Sequence, residues 1–177
     1  MVAASQAVST QPNIDLATLR EMNYRQLDHL YRESRAPESV SELDGDARGA
    51  MLAWRRPASG PIAALLRSFG KSSGFPWEGK SFQSTSGEGG TGINRINLVR
   101  NMRWFPFQTR LGPSFRDGKP TFVLDYSGRA NPPLIRSIVD EVREVAPGLY
   151  MGPAAIIFRG QPRPVLFFAL SFPNRER

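Results

Sequence analysis

Thr121-Phe122-Val123-Leu124-Asp125-Tyr126, Asn131-Pro132-Pro133, Leu134 to Val145, Ala146-Pro147-Gly148, Leu149 to Phe158 and Val165 to Phe172 follow one another in the last third of the chain, and their reading decides the fold. Phe122, Val123 and Leu124 form the apolar centre of a strand. Leu134, Ile135, Ile138, Val142 and Val145 then recur at helical spacing, with Arg136, Asp140, Glu141, Arg143 and Glu144 on the other faces. The spacing predicts a helix over 133–145, begun by the prolines and stopped by Pro147-Gly148. Its apolar stripe has to lie on a sheet. Strands over 149–158 and 165–172, joined through Gly160-Gln161-Pro162, supply one.

Further upstream the period changes. From Ile93 to Arg110 it is closer to two: Ile96, Leu98, Met102 and Trp104 share one face, and Arg95, Asn97, Asn101 and Arg103 lie mostly on the other. Strands are expected at 93–104, 105–110, 121–127, 149–158 and 165–172, with short ones near 50–54 and 80–84. Gly112-Pro113 and Asp117-Gly118-Lys119-Pro120 are turn signals, the second resembling a hairpin connection. Strands joined mostly by turns run antiparallel, and a strongly curved sheet of six or seven closes as a barrel.

Helices are expected at the start and near 61–69. Asn13 caps the first, whose Leu16, Leu19, Met22, Leu27, Leu30 and Tyr31 share a face and which ends ahead of Pro37. The second runs from Pro61 to Phe69, with proline at its first position and Gly70 at its end. Residues 39–53 suit both a short helix over Val40 to Leu43 and a strand from Ala50 to Trp54. The fold class is therefore α+β: a curved antiparallel sheet, closed as a barrel, with N-terminal helices and one helix before the last two strands. Residues 1–12 read as a disordered leader to a single domain over 13–177, long enough to bury a core without staples.

Composition narrows the chemistry. The absence of cysteine excludes disulfides, thiolate metal sites and a Cys nucleophile, and suits a reducing, cytoplasmic setting. One histidine, His29, leaves no multi-histidine metal site. The net charge of +7 comes from 20 arginines and three lysines scattered along the chain. Without a tract of like charges, it concerns solubility and encounter more than a dedicated polyanion surface.

Two glycine patterns match nucleotide-binding motifs by letter. Gly74-Phe75-Pro76-Trp77-Glu78-Gly79-Lys80-Ser81 fits G-x-x-x-x-G-K-[ST], but no helix follows whose N-terminal amides would hold a phosphate. Gly87-Glu88-Gly89-Gly90-Thr91-Gly92 fits G-x-G-x-x-G, but a strand follows where a dinucleotide fold needs a helix. Both read as loops.

Arg100 falls among inward-facing residues, where a guanidinium needs a partner. It pairs with Asp125 or Glu78, a one-residue shift of register turns it to solvent, or it clamps a ligand carboxylate or phosphate. Asp125 closes a strand, as a proton-transfer group or as the first residue of a turn. Tyr126 and Tyr150 are strand-end phenols that suit packing or ligand contact. Trp54, Trp77, Trp104, Phe105, Phe107 and Phe115 lie among arginines, as the lining of a β interior or as a stacking platform for single-stranded nucleic acid.

In its size, its aromatic-rich strands and its helix before the last two strands, the stretch from about residue 76 to 172 resembles small calycin or lipocalin-like barrels. Phe75-Pro76-Trp77-Glu78-Gly79 and Gly45-Asp46-Ala47-Arg48-Gly49 are distant echoes of the lipocalin Gly-x-Trp signature. The resemblance implies an apolar small-molecule cavity inside the barrel.

The leading expectation is thus a binder of an apolar small molecule, with or without an anionic end, contacted by Arg100, Met102, Trp104, Tyr126, Tyr150 and Phe168. The alternative is an enzyme that uses the cavity for isomerisation, cyclisation or decarboxylation, with Asp125, Tyr126, Tyr150 or His29 moving a proton. Neither reading calls for a cofactor. Nucleic acid is the least favoured partner.

Overall fold

In the computed structural model, which describes residues 14–55, 77–85, 89–97 and 101–173, eight strands follow one another as a meander and close into a barrel. They are β1 (Gly45–Trp54), β2 (Trp77–Ser84), β3 (Gly89–Asn97), β4 (Asn101–Pro113), β5 (Pro120–Asp125), β6 (Ile138–Ala146), β7 (Leu149–Phe158) and β8 (Gln161–Ser171). Each pairs antiparallel with the next, and β1 pairs with β8 from Arg48↔Ser171 to Trp54↔Leu166. Closure leaves no exposed sheet edge. The expected barrel is therefore present, built of more strands than expected. No helix among the described residues is long and apolar enough to cross a membrane.

The main correction falls on 133–145. A three-residue 3-10 turn, Ile135–Ser137, leads directly into β6, which pairs with β5 (Phe122↔Val142, Leu124↔Asp140) and with β7 (Asp140↔Ala154). The expected helix is absent because both faces of this strand are covered. Ile138 and Val142 belong to the barrel interior, and Glu141 and Arg143 on the other face are buried too. The polar residues that a helix would send to water instead have buried partners. Pro147-Gly148 does not stop a helix; it turns β6 into β7, with Ala146 opposite Leu149 and Gly148 at φ +71°. A Pro-Gly pair suits a type II turn, whose third residue needs positive φ.

The reading of 93–104 as one strand is also revised. The segment falls in two strands, β3 and β4, which pair antiparallel with Asn97 opposite Asn101. Gly89 to Gly92 belong to β3 and not to a loop. The hairpin connection expected around Asp117-Gly118-Lys119 is present, with Ser114 N donating to Lys119 O at 2.9 Å and Gly118 at φ +73°. Gly112-Pro113, by contrast, does not turn the chain and belongs to β4, paired with Thr121 and Pro120. Both readings of 39–53 hold, since a 3-10 turn over Val40–Leu43 precedes β1. The expected leader, the Asn13 cap and the helix at 61–69 lie outside the described residues.

The expected first helix is two: α1 (Leu16–Glu21) and α2 (Tyr24–Glu33). Asp15 caps α1, accepting from Thr18 N at 2.7 Å. Asn23 starts α2 by accepting from Arg25 N and Gln26 N, while the Gln26 side chain accepts from Asn23 N. This capping box takes the chain out of helix between the two pieces.

The core has two layers. Leu19, Leu27 and Tyr31 pack on the outward side chains Leu149, Met151, Phe167 and Ala169. Inside the barrel, Phe82 meets Phe107 and Phe122 edge-on at 5.5 and 6.0 Å, and Val40 and Leu43 join them.

The layers are also pinned by polar groups. Tyr31 Oη donates to Glu141 at 2.8 Å, and Glu141 also accepts from Ser114 Oγ at 2.7 Å and Phe115 N at 2.6 Å. Arg143 makes a two-pronged contact with Asp117 at 2.7 and 2.8 Å and donates to the Tyr31, Pro120 and Lys119 carbonyls.

Candidate functional site

Strand alternation places four polar side chains inside the barrel. In β2, Lys80 shares the inward face with Phe82, and in β3 Asn94 shares it with Ile96. Lys80 and Asn94 are directly opposed across the β2–β3 ladder. Tyr126 follows β5, two residues beyond the inward Leu124, and Asp140 lies between the inward Ile138 and Val142 of β6.

A bulge in β2 between Trp77 and Gly79 sets this register. Gly79 there has φ +137°, and a Cβ on it would fall 2.0 Å from the Ala47 carbonyl oxygen. The position accepts only glycine.

The four groups form one hydrogen-bonded cluster. Lys80 Nζ donates to Asn94 Oδ1 at 2.9 Å, to Asp140 Oδ2 at 3.2 Å and to Tyr126 Oη by a short contact. Tyr126 Oη donates to Asp140 Oδ2 at 3.2 Å and accepts from Asn94 Nδ2 at 3.3 Å. Asn94 Nδ2 also donates to the Phe105 carbonyl, and Trp77 Nε1 donates to Asn94 Oδ1, both at 3.2 Å. The Lys80 ammonium lies 5.2–5.6 Å from the ring centres of Trp77, Phe107, Tyr126 and Phe168. Their π faces attract a cation that has lost its water.

Lys80 and Asp140 are each 4% exposed. Isolated charges at that depth would be severely penalised, and their contact with each other offsets part of the cost. Burial pulls the Lys80 ammonium below its ordinary range, and Asp140 raises it part of the way back. Burial pushes the Asp140 carboxyl up, opposed by Lys80 and Tyr126. Burial likewise pushes the Tyr126 phenol well above its usual value, with Asp140 adding to the rise. The Lys80 and Asp140 shifts converge, as for a coupled buried pair, while the Tyr126 shift keeps the phenol protonated.

The cluster borders a cavity of about 80 Å³. The rest of its lining is apolar, from Met51, Ile96, Phe105, Ile138, Ala154 and Phe168 among others. Phe105 reaches the wall from the β4 bulge opposite Ile93 and Asn94, at φ +57°. Strained backbone of this kind concentrates at functional sites.

Of the residues named from the sequence as ligand contacts or proton carriers, Tyr126 and Phe168 border the cavity, as do Trp77 and Phe105 from the aromatic group. Tyr150 is buried in the barrel with its ring edge-on to Phe172 at 5.7 Å, away from the cavity wall. Trp104 is 42% exposed and stacks edge-on with Phe105. Asp125 accepts from Ser127 N at 2.8 Å, its turn role. His29 is exposed on α2. Met102 belongs to β4, its side chain outside the description, and Arg100 lies outside the described residues.

Lys80, Asn94 and Asp140 were absent from the sequence candidates. Lys80 appeared there only as a letter of the phosphate-loop pattern. Its strand continues through Ser84 with no helix after it, and Ser81 Oγ donates to Asp46 at 2.6 Å. Counting by two from Phe82 and Ile96 would have turned Lys80 and Asn94 inward. Among the described residues, no group of three or more His, Asp or Glu side chains is placed to hold a metal.

No family model matches the chain, and no curated protein matches it significantly in sequence. In three dimensions it is similar to a crystal structure of a protein from Thermomonospora curvata, with a TM-score of 0.53 and 20% identity over 91% of this chain and 93% of that one. At that identity the likeness shows a shared fold.

Proposed function

We propose that this protein binds a small, mostly apolar molecule inside the barrel, its polar end against the Lys80–Asn94–Tyr126–Asp140 cluster. The observation that carries the reading is a hydrogen-bonded charge pair at the wall of an otherwise apolar cavity. An apolar pocket with a few convergent polar groups is the usual form of a small-molecule site. Eight strands in an up-and-down meander are also the architecture lipocalins use around their ligands, which supports a lipocalin-like reading. The volume limits the occupant, since it is smaller than the ~150 Å³ that accommodates a benzene ring. The ligand is a compact molecule or the end of a longer one.

A titration with small alcohols, ethers and acids followed by amide NMR tests this. Shifts should centre on Met51, Lys80, Asn94, Phe105 and Phe168, and Ala154→Leu, which places a branched side chain in the cavity, should abolish them. Shifts confined to the outer surface would refute the reading.

A second reading is catalysis by proton transfer within the same cavity, favoured by the bond that Tyr126 and Asp140 share beside Lys80. Exchange of solvent deuterium into a bound small carbonyl compound, lost in Tyr126→Phe, would support it over binding alone.

A further inference from the structure

The hydrogen-bond inventory of the cluster is asymmetric. The three N–H groups of Lys80, both of Asn94, the phenol of Tyr126 and the indole of Trp77 all donate to partners within the barrel. Every donor is occupied. Among these groups one polar atom remains unmatched: Asp140 Oδ1, buried and without a hydrogen-bond partner, on a residue that borders the cavity. The formal charges of Lys80 and Asp140 cancel.

From this inventory we infer that the cavity selects a compact, neutral, apolar molecule carrying one hydroxyl or N–H group, which donates to Asp140 Oδ1. The inference rests on the cavity reading and sharpens it. A carboxylate or phosphate entering the cavity finds no free donor and meets the unpaired carboxylate oxygen, so an anionic end is disfavoured. A hydrocarbon leaves that oxygen unsatisfied, which is costly for a buried charged group. A water donating to Asp140 Oδ1 finds no free donor in the cluster for its own oxygen and otherwise faces apolar walls, whereas buried waters usually have two to four partners. A donor-bearing apolar molecule satisfies both the oxygen and the walls.

The test compares 1-butanol, methyl propyl ether and propionate, which have the same number of non-hydrogen atoms, by NMR titration of the wild-type protein at neutral pH. A hydrogen bond to a charged group predicts that 1-butanol binds about 10-fold or more tightly than the other two. It should also move the Asp140 side-chain carboxyl carbon resonance, and in Asp140→Asn the preference for the alcohol over the ether should shrink. If propionate binds best, or if the ether equals the alcohol, the inference fails while the cavity reading stands. If none of the three shifts the cavity residues, the cavity reading itself fails and the inference with it. The wild-type comparison decides the matter even if Asp140→Asn does not fold.

Discussion

Lys80 shows how much one buried charge depends on its surroundings. Its ammonium has three acceptors and four aromatic rings in place of water. Lys80→Met keeps an unbranched side chain of similar reach but leaves the Asp140 carboxylate buried without its counter-charge. Removing one partner of a buried pair costs about 3–5 kcal/mol, and urea unfolding at neutral pH should show a loss of that size. Adding Asp140→Leu should restore most of it. A single-variant loss under about 1 kcal/mol would mean that the pair contributes little to folding. At this scale the sequence was only partly legible. Alternation around Phe82 and Ile96 contains the inward placement of Lys80 and Asn94, whereas Asp140 could be placed only once its segment was known to be a strand.

β6 is the element where pattern misleads. Ile135, Ile138, Val142 and Val145 are spaced for one face of a helix, yet the β-branched residues that make up this stripe favour strands. Alternation in β6 is masked because each face carries both apolar and ionic residues: Ile138, Asp140 and Val142 inward, Glu141 and Arg143 under the helices and the 114–119 turn. Partners distant in sequence make this tolerable, and no local window contains them.

The two assignments differ in what they expect of Arg143→Ala. On the outside of a helix it would change stability within about 0.5 kcal/mol. In β6 it strips Asp117 of a buried two-pronged partner and frees three backbone carbonyls, so a loss of about 3–5 kcal/mol is expected in denaturant unfolding.

Across the whole molecule, ionic contacts such as the one between β6 and the 114–119 turn make stability depend on pH. The Arg143 guanidinium holds the Asp117 carboxyl at about 2, against an ordinary 3.8. Folding therefore favours the ionised form. The resulting stabilisation, about 2 kcal/mol, is complete above the ordinary value and is lost as pH falls through 3.8 towards 2. Asp117→Asn should be less stable than wild type by about that much at pH 7, and the gap should close near pH 2 in urea unfolding series. A gap independent of pH would rule out the charge as its source. Asp140 and Glu141 act in the opposite sense, since burial holds both above their ordinary values and their ionisation on raising pH opposes folding.

Local chemistry was enough to place the turn at 117–120, the short helical turn over Val40–Leu43 and strands over 121–127, 149–158 and 165–172 in a curved antiparallel sheet, and it marked 147–148 as a break while reading it as the end of a helix. Glycine, proline and β-branched residues act on their own backbone and immediate neighbours, so these features can be read from short windows. The strand at 138–146 and the meeting of Lys80, Asn94, Tyr126 and Asp140 arise from tertiary packing, whereas the break between α1 and α2 is local, set by the Asn23–Gln26 capping box. β6 is covered on one face by the barrel interior and on the other by α2 and the 114–119 turn, and only the closed interior brings together four distant polar groups at a depth where each depends on the others for its hydrogen bonds.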